Sequence, residues 1–515
     1  MHPHPPLSSR LVRMLPLLAV AACGVEEPFL GEEAGLLGRS LTVTAAIEAE
    51  SMTLSPTDAG GVASAGTASG GKELVLSRNG SAIRSLSLPG QVGSLRISAR
   101  GDTCEGAPRM TVLLNGAQVL QTSVTSTSWT SYVARLPSPV SGSATIDIRF
   151  DNDLYVSTSC DRNLRLDRVE FLAPAPAVEC AATGATSTTV RQAVGATPND
   201  ASDDFTAIQN AIDAASNAGG GIVKLPAGTF ITNGHIIVRS NVKLAGVGPE
   251  TIIKAGPGFL TRTGPWGGYP VITTSGATNV TIADLTVDQS GDVLDGNRPG
   301  RLNEYLVDVR KSRNARVEGV STRNPFTYSI AVAGSSNFCV RNNNTLSATN
   351  DRYDQLDGIH ILDSNTGHVL DNIVDQRVGT DGDDGLVAHT MGAPVYDVIY
   401  ARNKVRGGRH GAGMQLALGN HDIYNIRIEN NEFWGSPSGI HSRTWGGGTG
   451  VIHDITVGGS STTGNTFRDN SGNAVSFPSA LKNITVTHNV ACRSGGFLVA
   501  SAPGNVVRDN STTCP

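Results

Sequence analysis

NVTIADLTV at 279–287, NARVEGVST at 314–322, NIRIENNEF at 425–433 and NITVTHNVA at 483–491 decide the fold of this chain. Related phrases begin at Asn337, Gly367, Asp397, Asp454 and Asn505, so nine phrases follow one another at steps of 22 to 35 residues. Each is a short run of β-branched residues closed by Asn or Gly, which predicts one strand and one corner rather than a helical turn. A period of this length built from single strands is that of a parallel β-helix. Each coil turns Val and Ile inward and hydrogen-bonds to the next, so only a stack buries a continuous core. A propeller blade would need four strands within each period.

Upstream, DDFTAIQNAIDAA at 203–215 carries apolar residues at helical spacing and runs into Gly219-Gly220-Gly221 and the strand-like IVKLPAG at 222–228. This predicts a short amphipathic helix ahead of a long all-β run. Further upstream the pattern changes to alternating strands, LRIS at 95–98, MTVLL at 110–114 and TIDIRF at 145–150, separated by Gly, Asn and Ser turns. That is the signature of an antiparallel, jelly-roll-like β-sandwich. The run APAPA at 173–177 is a semi-rigid linker. The expected fold is all-β: a sandwich over 42–173, a linker over 174–193 and a right-handed parallel β-helix over 194–515.

Composition agrees: 515 residues hold 60 Gly, 17% charged and 5% aromatic residues. Net charge is −5 with no basic run, which excludes a nucleic-acid partner. At the start, Arg10 and Arg13 precede a short apolar stretch ending in Val20-Ala21-Ala22-Cys23. This resembles the lipobox of bacterial lipoproteins. The resemblance implies a signal peptide over 1–23, acylation of Cys23, a linker over 24–41, and a protein exported and anchored by lipid to the cell envelope, or secreted. Six further cysteines remain in a compartment that permits disulfides. Cys104 and Cys160 fall within the sandwich, and Cys492 with Cys514 would clip the last coils; Cys180 and Cys339 are left unassigned.

The helical phrase and the coils after it resemble the pectin-lyase-like superfamily, whose members include hydrolases, lyases, epimerases and binding proteins; the resemblance implies that the helix caps the coil stack. Four polar phrases recur within the coils: LDGIH at 356–360, GDDGL at 382–386, RHGAG at 409–413 and GIHSRT at 439–444. Asp357 and Asp383 are 26 residues apart, as are Asp384 and His410, about one coil each. Constant phase in a solenoid means one face, and coils lie about 4.8 Å apart, so the carboxylates are expected to cluster. Mutual repulsion then raises at least one pKa and keeps a proton available for a leaving group while an ionised partner activates water.

The order of these phrases resembles that of the polygalacturonases, glycoside hydrolase family 28, and equally the related α-1,3-glucanases and dextranases, which use an Asp followed a coil later by an Asp pair. The resemblance implies that Asp384 or Asp357 is the general acid and that Asp383 with the remaining partner holds the water. It implies that His410 supports the acid and that Arg443 and His441 bind substrate. Arg409 stands where the polygalacturonases have Gly, and the basic pair is reduced to His441 and Arg443, which weakens a uronate clamp. Trp445, Trp266 and Tyr269 are candidate sugar platforms, with Arg409 among the substrate-binding candidates. No cofactor is expected for catalysis. A lyase or epimerase, with Arg409, Arg443 or Tyr328 as base, and a binding-only surface protein are the competing readings.

The sandwich resembles the calcium-dependent xylan-binding modules of families 36 and 60, on GDTCEGAP at 101–108, SWT at 128–130, FDND at 150–153 and SCDRNL at 159–164. Hard oxygen ligands suit Ca2+. The resemblance implies Asp153 and Asp161 as ligands, then Asp151 and Asp102, with a Cys104–Cys160 disulfide holding the loops. Glu48, Glu50 and Asp167 resemble a structural calcium site of related sandwiches. The expected partner is a polysaccharide, and the expected state a monomer.

Overall fold

The computed structural model describes residues 43–173, 178–294, 304–346, 356–376, 382–479 and 481–514. Cys23, the lipobox and the linker 24–41 lie outside them. From Val43 to Leu172 the chain forms antiparallel strands around the long, bent Gly80–Asp102, which pairs with Thr130–Phe150 on one side and Cys160–Leu172 on the other. Their inward residues, among them Leu95, Ile97, Val112, Ile146, Ile148, Phe150 and Phe171, form one buried core.

The second core belongs to a right-handed parallel β-helix. The helix Phe205–Asn217 buries Ile208, Ala211, Ile212 and Ala215 and closes its end. Each central coil contributes three strands. Ser336–Arg341, Asn344–Leu346 and Ile359–Leu362 make one coil, and Asn365–Leu370, Ile373–Asp375 and Leu386–His389 stack on it in parallel. Inward residues stack in register, as in the buried column Val317, Val340, Val369, Tyr400, Ile428, Val457 and Val486. Each such aliphatic side chain contributes about 1.5–3 kcal/mol by leaving water.

The repeated Asn of the sequence has two structural causes. Asn279, Asn314, Asn337, Asp397, Asn425, Asp454 and Asn483 all take positive φ, between 50° and 56°. A short polar side chain tolerates that conformation where a β-branched one does not. A second set, Asn343, Asn372, Asn403, Asn431, Asn465, Asn489 and Asn510, forms a ladder at the corner between two strands of each coil. The side-chain oxygen of each member after the first accepts both the backbone and side-chain N–H of its predecessor. The ladder satisfies corner groups that would otherwise be buried unpaired.

Three disulfides close. Cys104–Cys160 ties two sandwich loops and Cys492–Cys514 clips the final coil. Cys180–Cys339, which the sequence left unassigned, fastens the segment ahead of the first coil to the strand Ser336–Arg341.

Candidate active site and calcium site

The third strand of each coil forms a ten-stranded parallel sheet, and the polar phrases lie at its leading edge. Ile359 pairs with Leu386, Leu386 with Met414 and Met414 with Ile440. This register puts Asp357 level with Asp384. In each phrase the Asp precedes a glycine for a steric reason. A Cβ at Gly385 would come within 2.3 Å of Val405 Cγ1, and one at Gly358 within 2.3 Å of Val374 Cγ1. The chain therefore enters its inward strand with the acidic side chain just outside the core.

Asp357, Asp383 and Asp384 each offer a carboxylate oxygen within 4.8 Å of the other two, the only such acidic triplet among the described residues. Asp357 and Asp384 are buried, at 4% and 2% exposure, and Asp383 is half-buried. Burial pushes both buried carboxyls well above the carboxylate range, and for Asp384 the charge of Asp357 adds to it. Their partners differ. Asp384 accepts N–H bonds from Ala412 at 2.6 Å and from the Gln415 side chain, and it feels Arg443. All three favour its charged form. Asp357 accepts one backbone N–H, from Asp384, and its other oxygen lies 2.7 Å from His360 Nδ1.

The register moves His410 away from the level expected for it. The step from Leu386 to Met414 brings Ala412 level with Asp384. The extra length is taken up by the turn Gly407-Gly408-Arg409-His410, pinned by N–H bonds from Gly408 to Asp383 O and from His410 to Gly382 O. Arg409 and His410 lie exposed on that turn. His441 instead approaches Asp384 Oδ1 at 3.7 Å, its imidazole pushed down to about 4 by burial and by Arg443. Arg443 lies over the Trp445 ring at 4.9 Å and lines a cavity with Ser442, Thr444, Ile452, Pro478 and Ser479. Trp445 is 43% exposed and its indole N–H donates to Gln415 Oε1 at 2.7 Å, so it buttresses the amide that holds Asp384. Trp266 lies beneath Lys311, and Tyr269 packs against the core beside His235.

From the outer row of the sheet sequence reasoning singled out His441 and passed over His360 and Gln415. His360, Val387, Gln415 and His441 occupy one register line. Tyr305 stacks on Tyr328 at 5.0 Å and Tyr328 on His360 at 4.1 Å. The available signal was the alternation in LDGIH and DDGLVAH, which turns each His outward from a strand whose Ile or Leu points in.

In the sandwich, the candidate calcium ligands divide. Asp153 Oδ1 is shielded from solvent without a hydrogen-bond partner, and burial followed by the charge of Asp161 raises its carboxyl. An orphaned oxygen facing a second carboxylate fits a Ca2+ ligand pair, with the remaining oxygens drawn from backbone, side-chain amides or water. Asp151 is instead paired with Arg109 at 2.7 Å and Asp102 with Arg165 at 2.8 Å. At the other candidate site Glu48 Oε2 and Glu50 Oε2 are shielded and unpartnered, while Asp167 accepts from Ser69 N and Ser98 Oγ.

With this geometry in place, residues 94–183 match the family model for the calcium-dependent, xylan-binding carbohydrate-binding module CBM60, and residues 188–441 that for the rhamnogalacturonase A/epimerase, pectate lyase-like domain. The chain thus joins a sandwich that matches a CBM60 module to a pectate lyase-like right-handed β-helix. Among characterised relatives it is similar to the mannuronan C5-epimerase AlgE3 of Azotobacter vinelandii, 30% identical over 253 residues, which is 47% of this chain and 13% of that one. Alginate lyase 7 of the same organism is 30% identical over 242 residues, 44% of this chain and 23% of its own. The chain thus spans a minor part of the relatives it matches. Among solved structures, the exopolygalacturonase of Thermotoga maritima aligns over 60% of this chain and 88% of its own, at 16% identity and a TM-score of 0.48.

Proposed function

We propose that this protein is a glycoside hydrolase whose β-helix cleaves a polysaccharide with Asp357 as general acid and Asp384, with Asp383, as the carboxylates that hold and deprotonate the attacking water. The carrying observation is the unequal environment of two buried carboxyls in one register line. Asp384 has two N–H donors and a nearby guanidinium, whereas Asp357 has one N–H donor and a neutral imidazole. In this reading the one proton shared by the pair is assigned to Asp357, the arrangement that general-acid catalysis needs. Arg443, His441 and Trp445 border the site on the side of later coils and suit substrate binding, with Arg409 and His410 on the exposed turn beside it.

In this reading the sandwich binds polysaccharide through Ca2+ and raises the effective substrate concentration at the β-helix. The division at 42–173 and 194–515, export with a lipid anchor at Cys23, and a monomeric state complete the proposal. The test is incubation with polygalacturonate, xylan, α-1,3-glucan, dextran and alginate. New reducing ends that Asp384→Asn abolishes support it; reducing ends that persist in the variant overturn it.

A uronate epimerase or lyase is the second reading. It is favoured by the neutral His360 stacked on Tyr328 beside Asp357, a base and an acid within one contact, and by the names of the relatives. Ultraviolet absorbance from unsaturated products, or a change in uronate composition without new reducing ends, would decide for it.

A further inference from the structure

Asp357 is buried at the floor of the site, and an acid that donates a proton once per turnover must be reloaded. Two imidazoles lead away from it. His360 Nδ1 lies 2.7 Å from Asp357 Oδ2, and His360 Nε2 lies 3.1 Å from His389 Nδ1. The first ring is 2% exposed and the second is half-buried, so the chain runs from the buried acid towards solvent. The rings belong to adjacent strands, Ile359–Leu362 and Leu386–His389, and the Tyr328 ring, parallel to His360 at 4.1 Å, holds the inner one in plane.

Resting on the hydrolase reading above, we infer that His360 and His389 form a two-imidazole proton relay that reloads Asp357 from solvent after each leaving-group protonation. The hydrogen bonds allow two end states. With Asp357 ionised, His360 Nδ1–H donates to the carboxylate and His389 Nδ1–H donates to His360 Nε2. With Asp357 protonated, its O–H donates to His360 Nδ1 and His360 Nε2–H donates to His389 Nδ1, leaving His389 protonated at Nε2. The second state holds one proton more. That proton enters from water at His389 Nε2, each ring passes its Nδ1 proton inward, and Asp357 gains an O–H bond. Both rings begin and end neutral and only exchange tautomers. The base side releases one proton to solvent per turnover, so the cycle balances.

Two of the groups facing the relay are carboxylates, which favour a charged imidazole. Asp357 borders His360, Asp363 at the end of the His360 strand acts on both rings, and Tyr328 covers the His360 face. Burial nevertheless pushes both His360 and His389 down to about 3, so neither holds a charge near neutrality. His360 and His389 are positioning residues here, since they act through Asp357.

The test uses the full-length protein labelled with 15N-histidine, with the two resonance pairs assigned by His360→Gln and His389→Gln. Nitrogen shifts report tautomer and charge without substrate. Crossing the titration of Asp357 should switch both rings together from Nε2–H to Nδ1–H, with no imidazolium, and Asp357→Asn should abolish the switch. A charged ring, or one ring switching alone, would overturn the relay. With an active glycan in hand, His389→Gln should lower kcat about 10- to 100-fold at little-changed KM, with recovery in added imidazole buffer. An unchanged kcat, or a loss that imidazole fails to restore, would mean that His389 only packs. Failure of the wild type on every glycan would count against the hydrolase reading and leave the tautomer result standing.

Discussion

The backbone N–H of Asp384 donates to the Asp357 carboxylate at 3.1 Å, across the boundary between two adjacent coils. The two acids are therefore locked in relative position by the ladder of the sheet. Replacing either carboxyl with an amide keeps the shape and removes the ionisation. Asp357→Asn and Asp384→Asn should each lower kcat about 10²- to 10⁴-fold. Relief of repulsion between two buried acids should leave the melting temperature unchanged or higher. Kinetics and thermal melts of the two variants check this; a melting temperature that collapses would mean that the pair is structural.

Stability should fall towards alkaline pH. Folded carboxyls raised above their unfolded value of about 3.9 bind extra protons, so their contribution is complete below that value and is lost as pH rises through the folded ones. Those are about 6 for Asp308 and about 8 for Asp357. The depressed histidines, His360 and His389 at about 3 and His441 at about 4, have the opposite sign. Their contribution is complete above about 6.5 and is lost as pH falls. The two sets oppose each other in mild acid, and only the carboxyls titrate beyond neutrality. Urea denaturation across pH should show a decline above about pH 6.5 that Asp357→Asn flattens.

At the centre of the corner ladder, Asn431 accepts from Asn403 N and Nδ2 and donates to Tyr400 O and Asn465 Oδ1, all at 2.9 Å. Asn431→Ala strands buried donors on Asn403, each costing about 1–3 kcal/mol. The variant should lose about 2–5 kcal/mol in chemical denaturation, with the secondary structure retained. A loss under about 1 kcal/mol would show that water replaces the amide.

Calcium should separate the acids of the sandwich. Asp153→Ala removes the orphaned oxygen and should weaken calcium binding and calcium-dependent xylan binding roughly tenfold or more. Asp151→Ala breaks only the pair with Arg109 and should change calcium affinity little. Titration calorimetry with Ca2+, then with xylan oligosaccharides, tests the order; equal losses in both variants would reject it.

Much of the architecture was legible because it is periodic. A coil must bury Val or Ile at every turn and needs a residue tolerant of positive φ at every corner, so NVTIADLTV, NARVEGVST and their successors announce stacked strands directly. The same periodicity exposed Asp357, Asp383 and Asp384. Disulfide Cys180–Cys339 was not legible, because nothing local joins positions so far apart in sequence.

The sequence by itself determined the coil stack, the sandwich ahead of it and the row of acids, since these follow from patterns spanning only a few neighbouring residues. Only the tertiary structure decided the level of each residue in that row. Register depends on the length of every intervening turn, and a coil two residues longer than the step from Asp384 to His410 brings Ala412 level with Asp384 and leaves His410 exposed. The partners of the acids followed from that register. Gln415, His441, His360 and His389 reach the site because strands from different coils lie side by side, a proximity that hydrogen bonding between coils creates.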